Sequence, residues 1–241
     1  MTEHISRKEL KQDKIKETLE HGAEAVYSHS QLATIVVMML VLVGCVYGGW
    51  TLYHERQTAK ANLDLDAAMK VYSARIAGTA EPGADPNEPV YQDEAARAQD
   101  AAPKFLAAAD KYPGTSPGKL ARYYAALCYE NLEKQNQALE ELKKISAGSD
   151  AELAAMAQYQ ISVIDERSGK PDEAIQILRA LAAKPTVLVP RAVVLLDLAA
   201  LLRKSNPQEA VGLYQQVKKD YPEASVSDEA DRGLESIPPK S

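Results

Sequence analysis

Residues 114–120 come closer to a catalytic or cofactor-binding motif than any other part of the chain. Their sequence is GTSPGKL, and two glycines followed by a lysine are typical of a loop that wraps the phosphates of a nucleotide. Only three residues separate the glycines instead of four, and Leu120 stands where a serine or threonine must reach magnesium. The segment is therefore predicted to be a turn between two helices.

Other patterns that carry chemistry are also missing. The four histidines are His4, His21, His29 and His54. They lack the spacing of metal ligands, and the chain has no nucleophile elbow, zinc-protease helix or CxxC pair. Cys45 lies in an apolar segment and Cys128 outside it, so the two thiols are not expected to pair. The sequence predicts a protein that is not an enzyme and that binds no metal, cofactor or small-molecule substrate.

The composition indicates a helical domain that faces water. Alanine, leucine, glutamate, lysine and glutamine are abundant, and all are good helix formers. The chain has 28 Lys and Arg against 34 Asp and Glu, which gives a net charge of -6. Nucleic acid backbones attract proteins that gather Lys and Arg on one face, so a nucleic acid partner is not expected.

Residues 32–53 are 22 consecutive uncharged and mostly apolar residues, and they are predicted to form a transmembrane helix. At about 1.5 Å per residue this helix would reach roughly 33 Å, enough to cross a hydrocarbon core of about 30 Å. A buried core helix would show a polar stripe, whereas Thr34 is the one polar side chain in residues 33–46. A cleavable signal peptide has a shorter apolar stretch and a shorter leader than the 31 residues found here. Aromatic residues typical of a membrane interface follow, at Tyr47, Trp50 and Tyr53.

Residues 1–31 form a charged tail that is predicted to be cytoplasmic and partly helical. The tail carries five cations, Arg7, Lys8, Lys11, Lys14 and Lys16. Only Arg56 and Lys60 follow in the first fifteen residues beyond the apolar segment. The positive-inside rule then places the tail in the cytoplasm and the large domain on the other side of the membrane.

An alanine recurs along the chain, with a bulky residue four positions later and a small or apolar residue three positions after that. The alanines are Ala101, Ala138, Ala174 and Ala210, at intervals of 37, 36 and 36 residues. The bulky residues are Phe105, Leu142, Leu178 and Tyr214, and the third positions are Ala108, Ile145, Leu181 and Val217. The three positions share one helical face, and a turn with a further apolar-periodic helix precedes each alanine from Ala138 onward. A fixed period of this length predicts stacked helix-turn-helix units.

These units resemble the tetratricopeptide repeat family. The resemblance rests on Ala126, Tyr129, Ala138 and Leu142, and on residues 169–175, where a glycine-containing turn leads into the alanine helix. Arg122, Gln158 and Val194 depart from it, because the family has an aromatic residue near the start of the first helix. The resemblance implies an all-α fold in which one N-terminal transmembrane helix precedes an α-solenoid of repeats over residues 93–222.

The remaining segments are predicted to complete this array. Residues 54–77 should form a membrane-proximal helix that supplies the missing partner of the first unit, and residues 78–92 should form an acidic loop rich in proline and glycine. Residues 223–241 should contain a capping helix that begins at Ser225 or Ser227 and ends near Ile237.

The repeat family also implies a binding surface, because its first helices line a concave groove. The residues expected to face this groove are Tyr123, Leu127, Asn131, Tyr159, Val163 and Arg167. Two tyrosines, two aliphatic residues and mixed polar ends suit a peptide with apolar anchors. The alternative is that Leu127 and Val163 are ordinary core residues.

Two further expectations concern the fourth unit. Leu195, Ala199 and Leu202 are so apolar that the C-terminal helix is expected to cover them. Asp197 interrupts this apolar stretch and is expected either to pair with Arg232 or to point to solvent.

The order of tail, anchor and repeat domain resembles the ancillary subunits of the bacterial SecYEG translocon. The aromatic exit at residues 47–50 and the end of the first unit at residues 111–114 add to this resemblance. It implies an inner-membrane protein with a periplasmic domain, acting as an adaptor for translocon subunits, a periplasmic chaperone or nascent chains. The alternative is a structural organiser of an envelope complex that acts through its tail, its anchor or self-association.

Overall fold

The computed structural model describes residues 30–78, 89–222 and 224–237. Nearly all of the predicted tail, most of the acidic loop and the residues after Ile237 lie outside these ranges. The predictions for those segments therefore stay predictions.

The first element is a helix of 43 residues, α1 (Ser30–Tyr72). Its N-terminal half contains a stretch that is long and apolar enough to cross a membrane. The side chains of this stretch are exposed, among them Leu40 and Val46. The rings of Tyr47, Trp50 and His54 contact one another along one side of the helix. The boundary between the two compact units of the chain falls inside α1, between Arg56 and Gln57.

The helix ends at Tyr72, five residues before the predicted boundary at residue 77. Ser73 donates its hydroxyl to the carbonyl oxygen of Met69, at 2.9 Å, and Arg97 binds the carbonyl oxygen of Ala74, at 3.1 Å. The Met69 carbonyl also accepts the Ser73 N–H, at 2.8 Å, so side chains satisfy or reinforce the carbonyl groups at this end of the helix.

Two short strands follow that the sequence analysis did not predict. Strand β1 (Arg75–Ile76) pairs in parallel with strand β2 (Val90–Tyr91). The expected helix through residue 77 and the expected loop through residue 92 are thus wrong at these positions. Two residues are too few for a pattern of alternating side chains, so the sequence carries no signal for them.

The rest of the described chain is helical, as predicted. The helices are α2 (Glu94–Lys111), α3 (Ser116–Asn131), α4 (Gln135–Ser146), α5 (Ala151–Arg167), α6 (Pro171–Ala183), α7 (Arg191–Ser205), α8 (Pro207–Asp220) and α9 (Ala224–Glu235). From α2 to α9 each helix packs against the next along the chain. The all-α class and the succession of helix-turn-helix units are confirmed.

The repeat positions form the core of these units. The alanines Ala101, Ala138, Ala174 and Ala210 are all 0% exposed. Each bulky residue four positions later is at most 3% exposed, and each third position is at most 5% exposed. A methyl group at the contact lets the neighbouring helix approach, and the larger side chains fill the space beside it.

The C-terminal part of α1 supplies the missing helix of the first unit, as expected. Leu65 and Ala68 are buried in the same cluster as Phe105 of α2. The ring of Tyr72 packs edge-on against Phe105, with 5.8 Å between ring centroids, and against Tyr124 of α3, at 5.5 Å. These aromatic contacts join the first unit to the second.

Residues 114 and 115 lie in the turn before α3, whereas residues 116–120 already belong to that helix, so the predicted turn is correct for its first two residues only. Thr115 caps the helix, because its hydroxyl oxygen accepts the backbone N–H of Gly118. A Cβ atom at Gly118 would stand 1.9 Å from the carbonyl oxygen of Tyr112. The glycine before Lys119 thus allows close backbone packing, which is reason enough for its presence.

Helix α9 closes the array against α7 and α8. Gly233 lies on the ring of Tyr214, where a Cβ atom would come within 2.3 Å of a ring carbon, and Lys218 pairs with Asp231. The predicted start is wrong, because α9 begins at Ala224 and both candidate cap serines lie inside it. Ala224 lies two positions after Pro222, and α9 thus begins one residue before Ser225 and three residues before Ser227.

Replacing Gly118 by alanine should destabilise the repeat domain by about 1–3 kcal/mol or more, because the added Cβ atom collides with backbone. Gly114→Ala is the matched control, since nothing lies within 4 Å of a Cβ atom there. Urea unfolding of the full chain in detergent, followed by far-UV circular dichroism, measures the difference. Equal midpoints for the two variants would contradict the close packing at Gly118.

Candidate functional site

The six residues predicted to face a groove lie on α3 and α5, the first helices of the second and third units. We call the surface that they form the groove face. Tyr123, Leu127, Tyr159 and Val163 are half-buried, and Asn131 and Arg167 are exposed. The two helices contact each other, so side chains from both units are brought together. The structure thus leaves all six side chains at least partly accessible.

Tyr159 connects the groove face to the fourth unit. Its hydroxyl donates a hydrogen bond to Oδ2 of Asp197 on α7, at 2.5 Å. The expected pair with Arg232 is therefore wrong, because the partner of Asp197 is Tyr159, and the side chain is half-buried rather than fully turned to solvent. Arg232 does line a crevice of about 280 Å³ together with Asp197, but the tyrosine of the preceding unit reaches the carboxylate.

Burial makes the charge on Asp197 costly. Desolvation raises the pKa of this carboxyl above its ordinary value, although the hydrogen bond from Tyr159 opposes the shift. The nearby charges of Glu229 and Glu166 raise the pKa further. Burial and the neighbouring carboxylate also raise the pKa of the Tyr159 phenol, which therefore stays a hydrogen-bond donor.

A second polar contact links α3 to α5. Nε2 of Gln160 lies 2.9 Å from each carboxylate oxygen of Glu130. Desolvation raises the pKa of Glu130, while the hydrogen bond from Gln160 and the charge of Arg167 oppose this shift. Burial and the negative charge of Glu130 raise the pKa of Tyr123 to about 12. Sequence reasoning missed Glu130 and Gln160, although Glu130 and Glu166 are one repeat period apart.

The corresponding surface of the fourth unit is closed, as expected. Leu195, Ala199 and Leu202 are at most 4% exposed. They share a hydrophobic cluster with Ala230 of α9, and Val226 of α9 packs against that cluster. The groove face thus ends where α9 begins to cover α7.

A cavity of about 1140 Å³ lies beside the groove face, where Glu166, the neighbour of Arg167, is among its lining residues. Leu201, Val211 and Leu234 are among its apolar residues, and Arg203 and Lys204 are among its polar ones. None of the six predicted residues lines it. Its walls come from several helices, so no local sequence pattern indicates it.

The described ranges contain no group of three or more His, Cys, Asp or Glu side chains placed to hold a metal ion. Cys128 is buried in the aromatic cluster of the first two units, and burial raises the pKa of its thiol to about 12. The chemistry offered by the groove face is therefore that of hydrogen bonds, apolar contact and charge.

Two family models match the chain. One, described as a tetratricopeptide repeat-like domain, matches residues 29–186, and another, described as a tetratricopeptide repeat, matches residues 193–224. The first match begins at residue 29, so it includes the apolar segment together with the first three units. No curated protein and no solved structure gives a significant match.

Replacing Tyr159 by phenylalanine should destabilise the domain by about 1–3 kcal/mol, because it leaves the partly buried Asp197 carboxylate without its donor. Combining it with Asp197→Asn should cost less than the sum of the two single variants, since the phenylalanine then faces no buried charge. Chemical unfolding of the two single variants and the double variant measures this coupling. Strict additivity would show that the hydrogen bond contributes nothing to the free energy of unfolding.

Proposed function

The chain belongs to the tetratricopeptide repeat-like domain family, and on that premise we propose that it is a membrane-anchored adaptor that binds polypeptide segments on its groove face. Repeats of this family indicate a role in protein–protein interaction and are typically non-catalytic. The adaptor role, the anchor and the place of binding go further than this and are the content of the proposal.

One observation carries the proposed place of binding. Tyr123 and Tyr159 are 36 residues apart, as are Leu127 and Val163, and all four side chains are half-buried. They stand on α3 and α5, which pack against the helices that carry the buried repeat positions, so little further ordering is needed when a segment binds. Aromatic and aliphatic side chains in this arrangement favour an extended or helical segment with apolar anchors.

Membrane anchoring is supported by α1. Its apolar side chains are exposed along the stretch that is long enough to span a bilayer, and the aromatic contacts of Tyr47 and Trp50 lie toward the end of that stretch. The family match that includes this stretch adds support. The tail carries more cations than the first fifteen residues beyond the apolar segment, which favours a cytoplasmic tail and a periplasmic domain.

The finer proposal is that the partners belong to the bacterial secretion machinery. It rests on the resemblance in segment order to ancillary translocon subunits. The partners would then be translocon subunits, a periplasmic chaperone or emerging chains. The competing role is that of a structural organiser acting through tail, anchor or self-association.

A photo-crosslinking amino acid placed at Leu127 or Val163 should form adducts with partner polypeptides in intact bacterial cells. Gln176, an exposed residue of α6, is the control position and should form few adducts. Adducts with channel subunits or a periplasmic chaperone, identified by mass spectrometry, would support the finer proposal. Equal yields at all three positions would contradict binding on the groove face.

The organiser role predicts the opposite effects for variants of the groove face and of the tail. Leu127→Ser with Val163→Ser would leave its complexes intact, whereas deletion of residues 1–31 would abolish them. Native gels of membranes carrying each variant distinguish the two roles.

The repeat domain should be digested by protease added to spheroplasts of a bacterial host that expresses the chain, because it is expected to face the periplasm. A cytoplasmic marker protein, which must survive, is the control. A domain that resists until the membrane is lysed would place it in the cytoplasm and remove the translocon proposal.

A further inference from the structure

The groove face carries more negative than positive charge. Glu130 on α3 and Glu166 on α5 occupy equivalent positions of successive units, 36 residues apart. A third carboxylate, that of Asp197 on α7, is held next to this surface by its hydrogen bond with Tyr159. Arg167 is the cation among the six residues that define this surface, and Glu130 and Glu166 are the acids that directly precede Asn131 and Arg167 on the same two helices.

The partners of these carboxylates are neutral. Glu130 accepts from the Gln160 amide and Asp197 from the Tyr159 hydroxyl. Within the described ranges no Lys, Arg or His nitrogen lies within 4.0 Å of Glu130, Glu166 or Asp197.

Several acids elsewhere in the repeat domain form ion pairs with Lys or Arg. Glu141 on α4 pairs with Arg122 at 2.5 Å, and Glu209 on α8 pairs with Arg179 at 2.8 Å. Lys218 of α8 pairs with Asp231. Several acids of the repeat domain thus have a cation as partner, whereas Glu130, Glu166 and Asp197 have none within the described ranges.

Desolvation makes this lack of a cation costly. The pKa of Glu130 is raised even though Arg167 acts against the shift, and no cation is among the charges that set the pKa of Asp197. A cation brought by a ligand would relieve both groups, because it would lie in partly buried surroundings where charges attract strongly.

The two tyrosine rings can also receive a cation. This chain already places cations over tyrosine faces, with Arg97 at 5.7 Å from the ring centre of Tyr72 and Lys111 at 5.0 Å from that of Tyr112. Tyr123 and Tyr159 are half-buried, and the Tyr159 hydroxyl bonds to Asp197, so the accessible part of each ring offers a cation a further contact.

We infer that the groove face selects polypeptide segments in which Lys or Arg side chains alternate with apolar ones. This inference rests on the proposed function and names the chemistry of the segment that binds there. Apolar side chains contact Leu127 and Val163, while the cations approach Glu130, Glu166 and Asp197. An acidic segment would meet three carboxylates and find Arg167 as its partner.

The other nearby arginines do not favour an acidic segment. Nη1 of Arg203 already donates to the Ser236 hydroxyl at 2.8 Å. Arg203 and Arg232 line the crevice that holds two carboxylates, those of Asp197 and Glu229. Both lie at the end of the array that α9 covers. The accessible part of the groove face, on α3 and α5, therefore has the acidic balance.

Two fluorescein-labelled peptides of twelve residues test the inference. They have the same leucines and tyrosine and differ only in carrying four lysines or four glutamates at the remaining charged positions. Fluorescence anisotropy is read against the full chain in phosphatidylcholine nanodiscs, with empty nanodiscs as the blank. The lysine peptide should bind about tenfold more tightly at low salt, and the difference should shrink as salt screens the charges.

Glu166→Gln and Glu173→Gln form a matched pair of variants. Each removes one negative charge from an exposed side chain, but Glu173 lies on α6, a second helix. Glu166→Gln should weaken binding of the lysine peptide about threefold and leave the glutamate peptide no weaker. Glu173→Gln should change neither, and circular dichroism confirms that both variants are folded.

The outcomes separate this inference from the proposed function. If the glutamate peptide binds as tightly as the lysine peptide, or if both variants act alike, the inference is overturned and the groove proposal stands. If neither peptide binds above the blank, the groove proposal itself fails, and the inference fails with it.

Discussion

Close helix packing at the four repeat alanines is the contact on which the rest of the repeat domain depends. Each alanine is completely buried, and each is followed at fixed spacing by a side chain that fills the space beside it. This contact sets how near one unit lies to the next. Only at that spacing can Gln160 reach Glu130, and Tyr159 reach Asp197, across a boundary between units. The polar surface is thus a consequence of the apolar core beneath it.

Much of the fold could be predicted because the repeat encodes it several times. Ala101 and Ala210 are each followed, at the same spacing, by a bulky residue and then by a small or apolar one. An ambiguous stretch in one unit can therefore be assigned from the equivalent stretches of the others. The same period predicted which residues of α3 and α5 share a face. It could not predict that Asp197 bonds to Tyr159, because a period identifies residues on one helix and not the side chain that crosses to the next. Strand β1 was missed since two residues carry no period at all.

Glu130 and Asp197 serve two purposes that pull in different directions. As acceptors of the Gln160 amide and the Tyr159 hydroxyl they join successive units, which requires them to be partly buried. As charges they are disfavoured by that burial, and the pKa of each is raised. A well-packed apolar pair would avoid this conflict. An ion pair would also reduce it, and the chain forms one between Arg122 and Glu141. The proposed cationic segment would supply the charge compensation that these two carboxylates lack.

Contacts between units also determine how the domain comes apart. The rings of Tyr72, Phe105 and Tyr124 couple the first unit to the second, the Glu130 contact couples the second to the third, and Arg179 with Glu209 strengthens the last boundary. In a one-dimensional array an internal unit must break two such couplings to open, while a terminal unit breaks one. Unfolding should therefore begin at a terminal unit and proceed inward. A segment lying across α3 and α5 would act as an additional coupling in the middle of the array. Occupancy of the groove face would therefore make unfolding of the whole domain more cooperative.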